Sequence, residues 1–371
     1  MRVGLNMLHL VPGETGGSEL YARRLVPALL DAGDLSITVL APKAALDSLI
    51  AEPWGRDVTL VGISVDARSR VRRALAEQTR LRGHGLDLLH NIFTTAPAFP
   101  GVPQVTTILD VIYKRYPETH AGVLAAGVAL LVPLAARRSR RVLTLSQAAK
   151  EDIAHYLGVD RELIDVTPLG PGLPEALSPA PEAELRRMLE LGDAPIVLTV
   201  SAKLPHKNLE RLFEAFARLQ VEHAPVLVVP GYGTFHEPAL RARAAALAPG
   251  RIRFTGWLDD NVLDGLFRIA TCFVFPSLVE GFGLPVLDAL VRGVPVGSSN
   301  SSSLPEVGGD AVLYFDPTDT VAMSTVLSRL LEDAEVRARL RAAGPRQAEK
   351  FSWASTAKGT LASYDRALAA S

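Results

Sequence analysis

The segment Pro276–Leu290 (PSLVEGFGLPVLDAL) holds the residues best suited to chemistry. It follows an apolar strand-like run, and Gly281 and Gly283 permit backbone geometries that a Cβ would forbid. A proline then fits the first turn of a helix, whose free amides and positive dipole end form a site for phosphate oxygens. Glu280 precedes this turn and Asp288 lies two helical turns beyond it, where carboxylates can bind sugar hydroxyls. The alternative is an ordinary strand-turn-helix with solvated acids.

Two further segments contribute a cation and a flexible loop. Pro205–Leu209 (PHKNL) places Lys207 at a predicted helix start, which is a slightly unfavourable position for a cation. That misfit favours a functional role for Lys207 over a solvated lysine. Gly16 and Gly17 form a glycine pair near the N-terminus, for which a plain loop is the alternative.

These segments together resemble the retaining glycosyltransferases of family 4, which have the GT-B architecture. The stretch from Glu280 to Asp288 is similar to the glutamate-x7-glutamate signature of that family. Other pieces follow in the family's order, from an N-terminal glycine loop and a basic phosphate-binding segment to the start of the last helix: Gly16–Glu19, Pro205–Leu209, Val294–Val296, Ser302–Asp310 and Phe351–Trp353. The likeness covers nearly the whole chain and is strongest from Val200 to Pro317.

The resemblance implies a role for each matching residue. Lys207 would neutralise the diphosphate of a nucleotide-sugar donor, Glu280 would hold hydroxyls of the transferred sugar, and Asp288 would bind the ribose. The N-terminal glycine loop would approach the reacting centre, and the turn before the helix would meet the phosphates, which assigns donor binding to Gly16, Gly17, Gly281, Phe282, Gly283 and Leu284. Trp257 lies where the family holds the nucleotide base, largely through backbone, so its side chain is expected only to pack.

Three positions depart from the family pattern. Asp288 is one methylene shorter than the usual glutamate, so ribose contact requires a small shift or a water. Ala202 replaces a frequent arginine, and its neighbour Lys203 is the candidate substitute at the donor, although it would point differently. Leu109 replaces a histidine, which leaves the adjacent Asp110 as a third candidate catalytic residue beside Lys207 and Glu280. A satisfied acid at a strand end is the alternative for Asp110.

Strand-like apolar runs alternate with helix-length segments on both sides of one break. The predicted strands are Val3–Leu8, Ser36–Leu40, Val58–Ile63, Leu86–Asn91, Gln104–Leu109, Arg141–Leu145, Ile196–Val200, Val226–Val229, Arg251–Phe254, Cys272–Phe275, Val294–Gly297 and Val312–Phe315. Strands buried on both faces and joined by helices predict doubly wound parallel sheets. The fold class is therefore α/β of GT-B type, with two Rossmann-like domains facing a cleft.

The break is the proline-rich stretch Pro168–Pro174, which is hostile to helix and predicts an interdomain linker. We therefore expect an N-terminal, acceptor-side domain over residues 1–170 and a donor domain over residues 171–350. Residues 351–371 are expected to form a last helix that crosses back to the N-terminal domain.

Composition narrows the class of protein. The formal net charge is −1 without a basic excess, which disfavours a nucleic-acid binder. The single cysteine, Cys272, lies in an apolar run, so neither a disulfide framework nor a cysteine-based metal site is expected. The sequence lacks an Asp-x-Asp pair, and Gly231–His236 lacks the third glycine of a dinucleotide fingerprint. We therefore predict no metal and no cofactor beyond the nucleotide sugar as co-substrate.

The N-terminus lacks a signal-peptide pattern, which predicts a cytoplasmic protein. Residues 121–136 are almost wholly apolar and precede the basic run Arg137–Arg141. A buried helix is the leading interpretation of this segment, since it is short for a membrane span and contains a proline. Peripheral membrane contact through residues 121–141, or docking of a lipid-linked acceptor there, is the main alternative.

The sequence thus predicts a metal-independent enzyme that moves a sugar from a nucleoside diphosphate sugar to an acceptor hydroxyl with retention of configuration. The acceptor class stays open between a saccharide, a lipid-linked molecule and a small molecule. Two alternative functions remain. The first is another activity on the same fold, such as that of an epimerase or a phosphorylase. A catalytically silent nucleotide-sugar-binding partner of another transferase is the other.

Overall fold

The computed structural model describes residues 1–14, 16–117, 123–174 and 177–369. The chain divides into two compact units. The first unit combines Met1–Gly170 with Ser352–Ser371, and the second unit is Pro171–Phe351.

The first unit is built on one parallel sheet. Its strands are β1 Arg2–Asn6, β2 Ser36–Pro42, β3 Thr59–Ile63, β4 Leu88–Asn91, β5 Gln104–Thr107, β6 Arg141–Thr144 and β7 Ile164–Val166. They lie in the order β3-β2-β1-β4-β5-β6-β7, and each neighbouring pair is parallel. The order reverses between β1 and β4, which is the switch point of a doubly wound fold.

Helices cover this sheet. They are α1 Gly17–Ala32, α2 Leu46–Ile50, α3 Arg70–Arg80, α4 Ile112–Arg115, α5 Val123–Arg138, α6 Gln147–Leu157 and, from the end of the chain, α15 Trp353–Ala369. The last helix packs along α1, where Trp353 contacts Tyr21 with ring centroids 6.3 Å apart. The first sheet is thereby closed by the last segment of the sequence.

The second unit repeats the plan with its own core. Its strands are β8 Ile196–Leu198, β9 Val226–Pro230, β10 Ile252–Gly256, β11 Cys272–Phe275, β12 Val296–Ser299 and β13 Val312–Phe315, in the order β10-β9-β8-β11-β12-β13 and again all parallel. The helices are α7 Glu182–Met188, α8 Leu209–Ala217, α9 Glu237–Leu247, α10 Asp260–Ile269, α11 Leu284–Val291, α12 Leu304–Gly308, α13 Thr320–Glu332 and α14 Ala334–Ala348. Phe213, Phe216 and Leu327 are fully buried between the helices and the sheet.

The predicted pair of doubly wound parallel sheets is confirmed. Each predicted strand is present within a few residues, and β7 is the strand that the sequence analysis missed. Since all strands of a sheet are parallel, the loops that follow them lie at one edge. The predicted functional residues of each unit are found in these loops or at the helix starts after them, except Asp288, which lies within α11.

The apolar segment 121–141 forms a helix in its described part. Residues 121 and 122, and the side chains of residues 123–129, lie outside the described residues. In the remainder of α5, Val132 and Ala136 are buried in the first unit's core, while Leu130 is 71% exposed. Within the described ranges, no helix combines the length and the apolar character needed to cross a membrane.

Candidate functional site

The basic segment after β8 is held rigidly at the carboxyl edge of the second sheet. Pro205–Lys207 forms a single 3₁₀ turn, and Asn208 follows in the left-handed region with φ of 58°. The Asn208 side-chain amide donates to the carbonyl oxygens of Pro276, 3.0 Å away, and Pro317, 2.7 Å away. One asparagine therefore ties the basic turn to the chain that leaves β11 and to the chain that leaves β13.

This anchoring brings Lys207 and Glu280 together. The ammonium Nζ of Lys207 lies 2.7 Å from Oε1 of Glu280 and 5.7 Å from the ring centre of Phe275. The two side chains are only 16% and 10% exposed, respectively. The backbone N–H of Leu278 also donates to the carbonyl of His206 at 2.8 Å. Two of the three predicted catalytic residues thus form one largely buried ion pair.

The glycine turn after Glu280 prepares the start of α11. Gly283 has φ of 114°, which other residues rarely adopt, and a Cβ there would lie 2.6 Å from Cδ2 of Leu304. Both the backbone conformation and the lack of space therefore require glycine at this position. Ser303 Oγ lies 3.0 Å from the carbonyl oxygen of Glu280 and 2.7 Å from that of Phe282, so its single O–H proton is shared between these two acceptors near the start of α12. Ser302 Oγ adds a third bond, to the Glu280 carbonyl, at 2.8 Å.

The N-terminus of α11 has the character of an anion site. No side chain in the described ranges caps it. Pro285 has no N–H, and the N–H groups of Val286 and Leu287 bond to the Gly283 carbonyl at 2.9 and 3.2 Å, so Leu284 supplies the N–H of this first turn that has no intrahelical acceptor, at the positive end of the dipole. Phe282 is buried against Phe351, with ring centroids 5.7 Å apart, so only its backbone is available to a ligand. Gly281, Phe282, Gly283 and Leu284 thus form one backbone turn beside Lys207.

Asp288 lies on the buried side of α11. Its Oδ1 accepts hydrogen bonds from the backbone N–H groups of Gly172 at 2.8 Å and Leu173 at 3.1 Å. Burial raises the pKa of Asp288 to about 6, although those amides and the Arg292 guanidinium act in the opposite direction. The carboxylate therefore binds the first residues of the second unit, and its predicted contact with a ribose stays a prediction.

Lys203 points into the protein. Its side chain is fully buried, and Nζ donates to the carbonyl oxygens of Ser201 at 3.2 Å, Val229 at 3.1 Å and Gly231 at 2.6 Å. Burial lowers the pKa of this lysine to about 8. An ammonium has three N–H donors, so a direct bond to a phosphate would require Lys203 to give up one of these carbonyls. In this structure the lysine joins the ends of β8 and β9 to the loop that follows β9.

Trp257 lies in the loop after β10, and its side chain is 64% exposed. The backbone N–H of Gly231 donates to the carbonyl of Gly256 at 2.8 Å. This bond joins the loop after β10 to the loop that Lys203 holds.

The remaining predicted residues belong to the first unit. Gly16 has φ of 63° and directly precedes α1, and a Cβ on Gly17 would meet no described atom within 4 Å. The backbone N–H of Gly13 donates to Glu19 at 2.9 Å, which fastens this glycine loop to α1. Asp110 follows β5, and its Oδ1 accepts from the backbone N–H of Ile112 at 3.0 Å, at the start of α4.

The sequence analysis named the residues that could touch a ligand. It did not single out the residues that hold the site in position. Asn208 and Ser303 were quoted only as parts of motifs, yet they set the basic turn and the glycine turn. A polar residue that can adopt positive φ beside a lysine is a signal for the first of them. Within the described residues, no group of three or more His, Cys, Asp or Glu side chains is arranged to hold a metal ion.

Two family models match the chain in succession. Residues 15–170 match glycosyltransferase family 4, and residues 182–347 match the glycosyl transferases of group 1. Each match falls entirely within one of the two structural units.

Characterised relatives share about a third of the matched residues. The O-antigen chain mannosyltransferase B of Escherichia coli is 31% identical over 266 residues, which is 70% of this chain and 69% of that protein. The MMP alpha-(1->4)-mannosyltransferase of Mycolicibacterium hassiacum is 32% identical over 238 residues, 63% of this chain and 56% of that one. The serotype-specific mannosyltransferase WbdA of Escherichia coli is 31% identical over 241 residues, 63% of this chain but only 30% of that longer protein.

Solved structures show the same fold. The sucrose-phosphate synthase of Thermosynechococcus elongatus superposes with a TM-score of 0.79 at 20% identity and full coverage of both chains. The Anabaena protein HepE, in a complex with UDP and glucose, superposes with a TM-score of 0.76 at 19% identity over 98% of this chain and 99% of that chain. The two sheets and the matches in sequence and structure lead to one assignment. The chain is a glycosyltransferase of the GT-B fold and belongs to glycosyltransferase family 4.

Proposed function

We propose that this glycosyltransferase moves a sugar from a nucleoside diphosphate sugar to an acceptor hydroxyl, with retention of the anomeric configuration and without a metal. The observation that carries the proposal is the largely buried ion pair of Lys207 and Glu280 beside the start of α11. Few other functions need a cation, a carboxylate and the backbone amides of a helix start at one place in the fold. A diphosphate-linked sugar matches this set, because its phosphates need positive partners and its hydroxyls need acceptors.

The chemical step separates charge as the bond between sugar and phosphate breaks. The contact with Glu280 uses one of the three N–H donors of Lys207, so the same ammonium can also bind phosphate oxygens. Lys207 and the amides of α11 would stabilise the negative charge that develops on the departing diphosphate. Glu280, in turn, would be oriented by Lys207 to accept hydrogen bonds from the sugar.

The names of the relatives suggest which donor sugar to test. The relatives described above are named as mannosyltransferases. We therefore propose mannose as the first sugar to test, on a nucleoside diphosphate whose base is to be determined. The proposal includes no cofactor other than this co-substrate. A cytoplasmic location, with peripheral membrane contact through residues 121–141, is part of the same proposal.

The test is product analysis with a panel of GDP-, UDP- and ADP-linked sugars and a set of saccharide and lipid-linked acceptors. Mass spectrometry identifies the product, and the anomeric proton coupling in its NMR spectrum reports retention or inversion. Activity that survives a chelator supports metal independence. Nucleotide-sugar binding with neither transfer nor slow hydrolysis of the donor would instead identify a silent binding partner.

A further inference from the structure

A deeply buried carboxylate of the first unit has no part in the donor chemistry proposed above. Glu77 lies on α3 and is 2% exposed. Its Oε1 lies 3.0 Å from Nε2 of His9, and both of its carboxylate oxygens lie 2.9 Å from Oγ1 of Thr95. Nε2 of His9 also lies 2.8 Å from the same threonine oxygen. Because a buried carboxylate is costly unless it is paired and hydrogen-bonded, Glu77 holds His9 and Thr95 in fixed positions.

These three side chains meet at the carboxyl edge of the first sheet. His9 comes three residues after β1, and Thr95 comes four residues after β4. The strand order reverses between these two neighbouring strands, and ligands of doubly wound folds bind in the crevice outside that point. The His9 side chain is 14% exposed and Thr95 is partly exposed, so these two residues carry the polar groups of the cluster to the surface.

The loop after β4 is strained where it carries Thr95. Thr94 has φ of 62°, a left-handed conformation that β-branched residues rarely adopt. Its N–H donates to the carbonyl of Thr107 at the end of β5, 3.0 Å away, which holds the loop in this conformation. The His9 ring is stacked on Phe93, with ring centroids 5.5 Å apart and 15° between the planes. Backbone strain and a fixed ring are typical of sites that are preorganised for a ligand.

We infer that His9 and Thr95 bind a hydroxyl group of a neutral saccharide as the acceptor substrate, and that Glu77 positions them for it. This role rests on the proposed transfer to a hydroxyl group, whereas the donor-binding residues are not involved. Thr95 has one O–H proton and two oxygen lone pairs. When the proton is given to Glu77 and one lone pair faces Nε2 of His9, the second lone pair remains to accept a hydrogen bond from a sugar hydroxyl.

The charge of Glu77 decides which class of acceptor substrate fits. Burial alone would raise the pKa of Glu77, but the charge of His9 and the hydrogen bonds from His9 and Thr95 hold that pKa below its ordinary value. The carboxylate is therefore ionised at neutral pH, in contact with the two groups that reach the surface. It would repel a phosphate or carboxylate group placed on them, because like charges at such short separations interact unfavourably. A neutral sugar hydroxyl meets no such repulsion.

The binding test is saturation-transfer NMR with the full-length chain and saturating GDP or UDP, which fills the donor site. Methyl glycosides of mannose, glucose and galactose serve as neutral probes, and mannose 6-phosphate serves as the anionic probe. We expect saturation of a neutral glycoside and not of the phosphate. Thr95→Val should weaken this binding about tenfold, and Thr95→Ser, which keeps the hydroxyl, should restore most of it. Lack of saturation of all neutral glycosides, or preferred binding of the phosphate, would overturn the inference.

Steady-state kinetics tests whether Glu77 acts by positioning. Glu77→Gln removes the charge that holds His9, and we expect the KM for a saccharide acceptor to rise about tenfold. The KM for the donor and the slow hydrolysis of the donor without an acceptor should stay unchanged. Glu52→Gln is the matched control, because it removes a carboxylate that lies 2.6 Å from Arg23 in the same unit, and it should leave every one of these values unaltered.

The outcomes separate this role from a structural one and from the donor chemistry. Circular dichroism checks that each variant is folded. An unchanged acceptor KM in Glu77→Gln, or donor hydrolysis that falls in step with transfer, would refute the positioning role. A wild-type protein that neither transfers nor hydrolyses any donor would count against the proposed function instead, and the glycoside-binding test with Thr95→Val and Thr95→Ser would still decide the role of His9 and Thr95.

Discussion

At the scale of single residues, Lys207 offers the most direct test of the mechanism. A lysine that only bound the ground-state diphosphate would change KM and leave kcat unaltered. Because the leaving group gains charge as the sugar departs, the contact should strengthen toward the transition state. We expect Lys207→Ala to lower kcat on the order of 10² to 10³ fold, with a smaller change in donor affinity. Steady-state kinetics with varied donor and saturating acceptor measures this, and a near-normal kcat would contradict it.

Lys203 should behave differently, because its ammonium binds three backbone carbonyls rather than solvent. Lys203→Met leaves those buried acceptors without a donor, which costs about 1–3 kcal/mol each where no water replaces the ammonium. The loop after β9 and its neighbour at Gly256 should loosen together. We therefore expect this variant to weaken binding of a nucleoside diphosphate and of the bare nucleoside alike.

Isothermal titration of both ligands distinguishes the two lysines. Lys207→Ala is the control, since loss of a phosphate contact should weaken binding of the diphosphate and spare the nucleoside. Were Lys203→Met to weaken diphosphate binding alone, the lysine would be a phosphate ligand, as the sequence analysis proposed.

Because the pKa of Asp288 is raised, the folding stability and the donor affinity of the protein should respond to pH in opposite directions. Because the carboxyl pKa is about 6 in the folded protein and 3.8 as its ordinary value, the folded state holds the proton between these limits. This group therefore favours folding at low pH, and its contribution is lost as pH rises from about 4 to 6, by roughly 1.4 kcal/mol for each pKa unit. If Asp288 binds the ribose, donor affinity should instead fall as pH drops through about 6.

Asp288→Asn is the matched variant, since an amide accepts hydrogen bonds but does not titrate. The difference in unfolding free energy between wild type and variant should shift in favour of wild type as pH is lowered from 7 to 4. Donor titrations over the same range should show a pH-dependent affinity only in the wild type. A donor affinity that falls equally in both proteins would assign the effect to another group.

At the scale of elements, the turn before α11 depends on one glycine. Gly283→Ala places a Cβ at positive φ and against Leu304, and we expect it to destabilise the second unit by about 1–3 kcal/mol. Gly17→Ala is the control, because a Cβ there meets nothing and helical alanine is favoured over glycine. Urea denaturation measures the unfolding free energy of both variants, and hydrogen exchange in α11 shows whether the loss in Gly283→Ala is local to that helix. Equal stability of the two variants would refute the strain argument.

The alternation of apolar runs sufficed to predict nearly all strands, since buried parallel strands have distinctive composition. β7 was missed because Ile164–Val166 is short and lies beside Pro168, where the pattern breaks. The pairing of Lys207 with Glu280, 73 residues apart, depends on β8 and β11 being neighbours in the sheet. Periodicity does not determine which strands are neighbours. Nor does any local signal show that Lys203 points inward, because the burial of a lysine depends on carbonyls contributed by another strand.

At the scale of the whole molecule, the last helix completes the first unit. Tyr364 on α15 is fully buried, and its hydroxyl lies 2.7 Å from Nδ1 of His90 on β4. The other ring nitrogen of His90 lies 2.7 Å from Oγ1 of Thr107 on β5. Burial lowers the pKa of His90 to about 3, so the imidazole is neutral and donates one bond and accepts the other. This chain of polar groups joins the end of the sequence to two central strands.

The last prediction follows from that chain. Tyr364→Phe keeps the ring but leaves Nδ1 of His90 buried without its partner, which should lower the unfolding free energy of the first unit by about 1–3 kcal/mol. Tyr156→Phe is the control, because that ring is 37% exposed on α6 and its hydroxyl can be solvated. Hydrogen exchange resolved by peptide should show faster opening of α15, β4 and β5 in Tyr364→Phe, with the second unit unchanged, since Tyr364, His90 and Thr107 all belong to the first unit. If both units opened faster to the same extent, or if Tyr156→Phe had the same effect, the stabilisation would not reside in the bond between Tyr364 and His90.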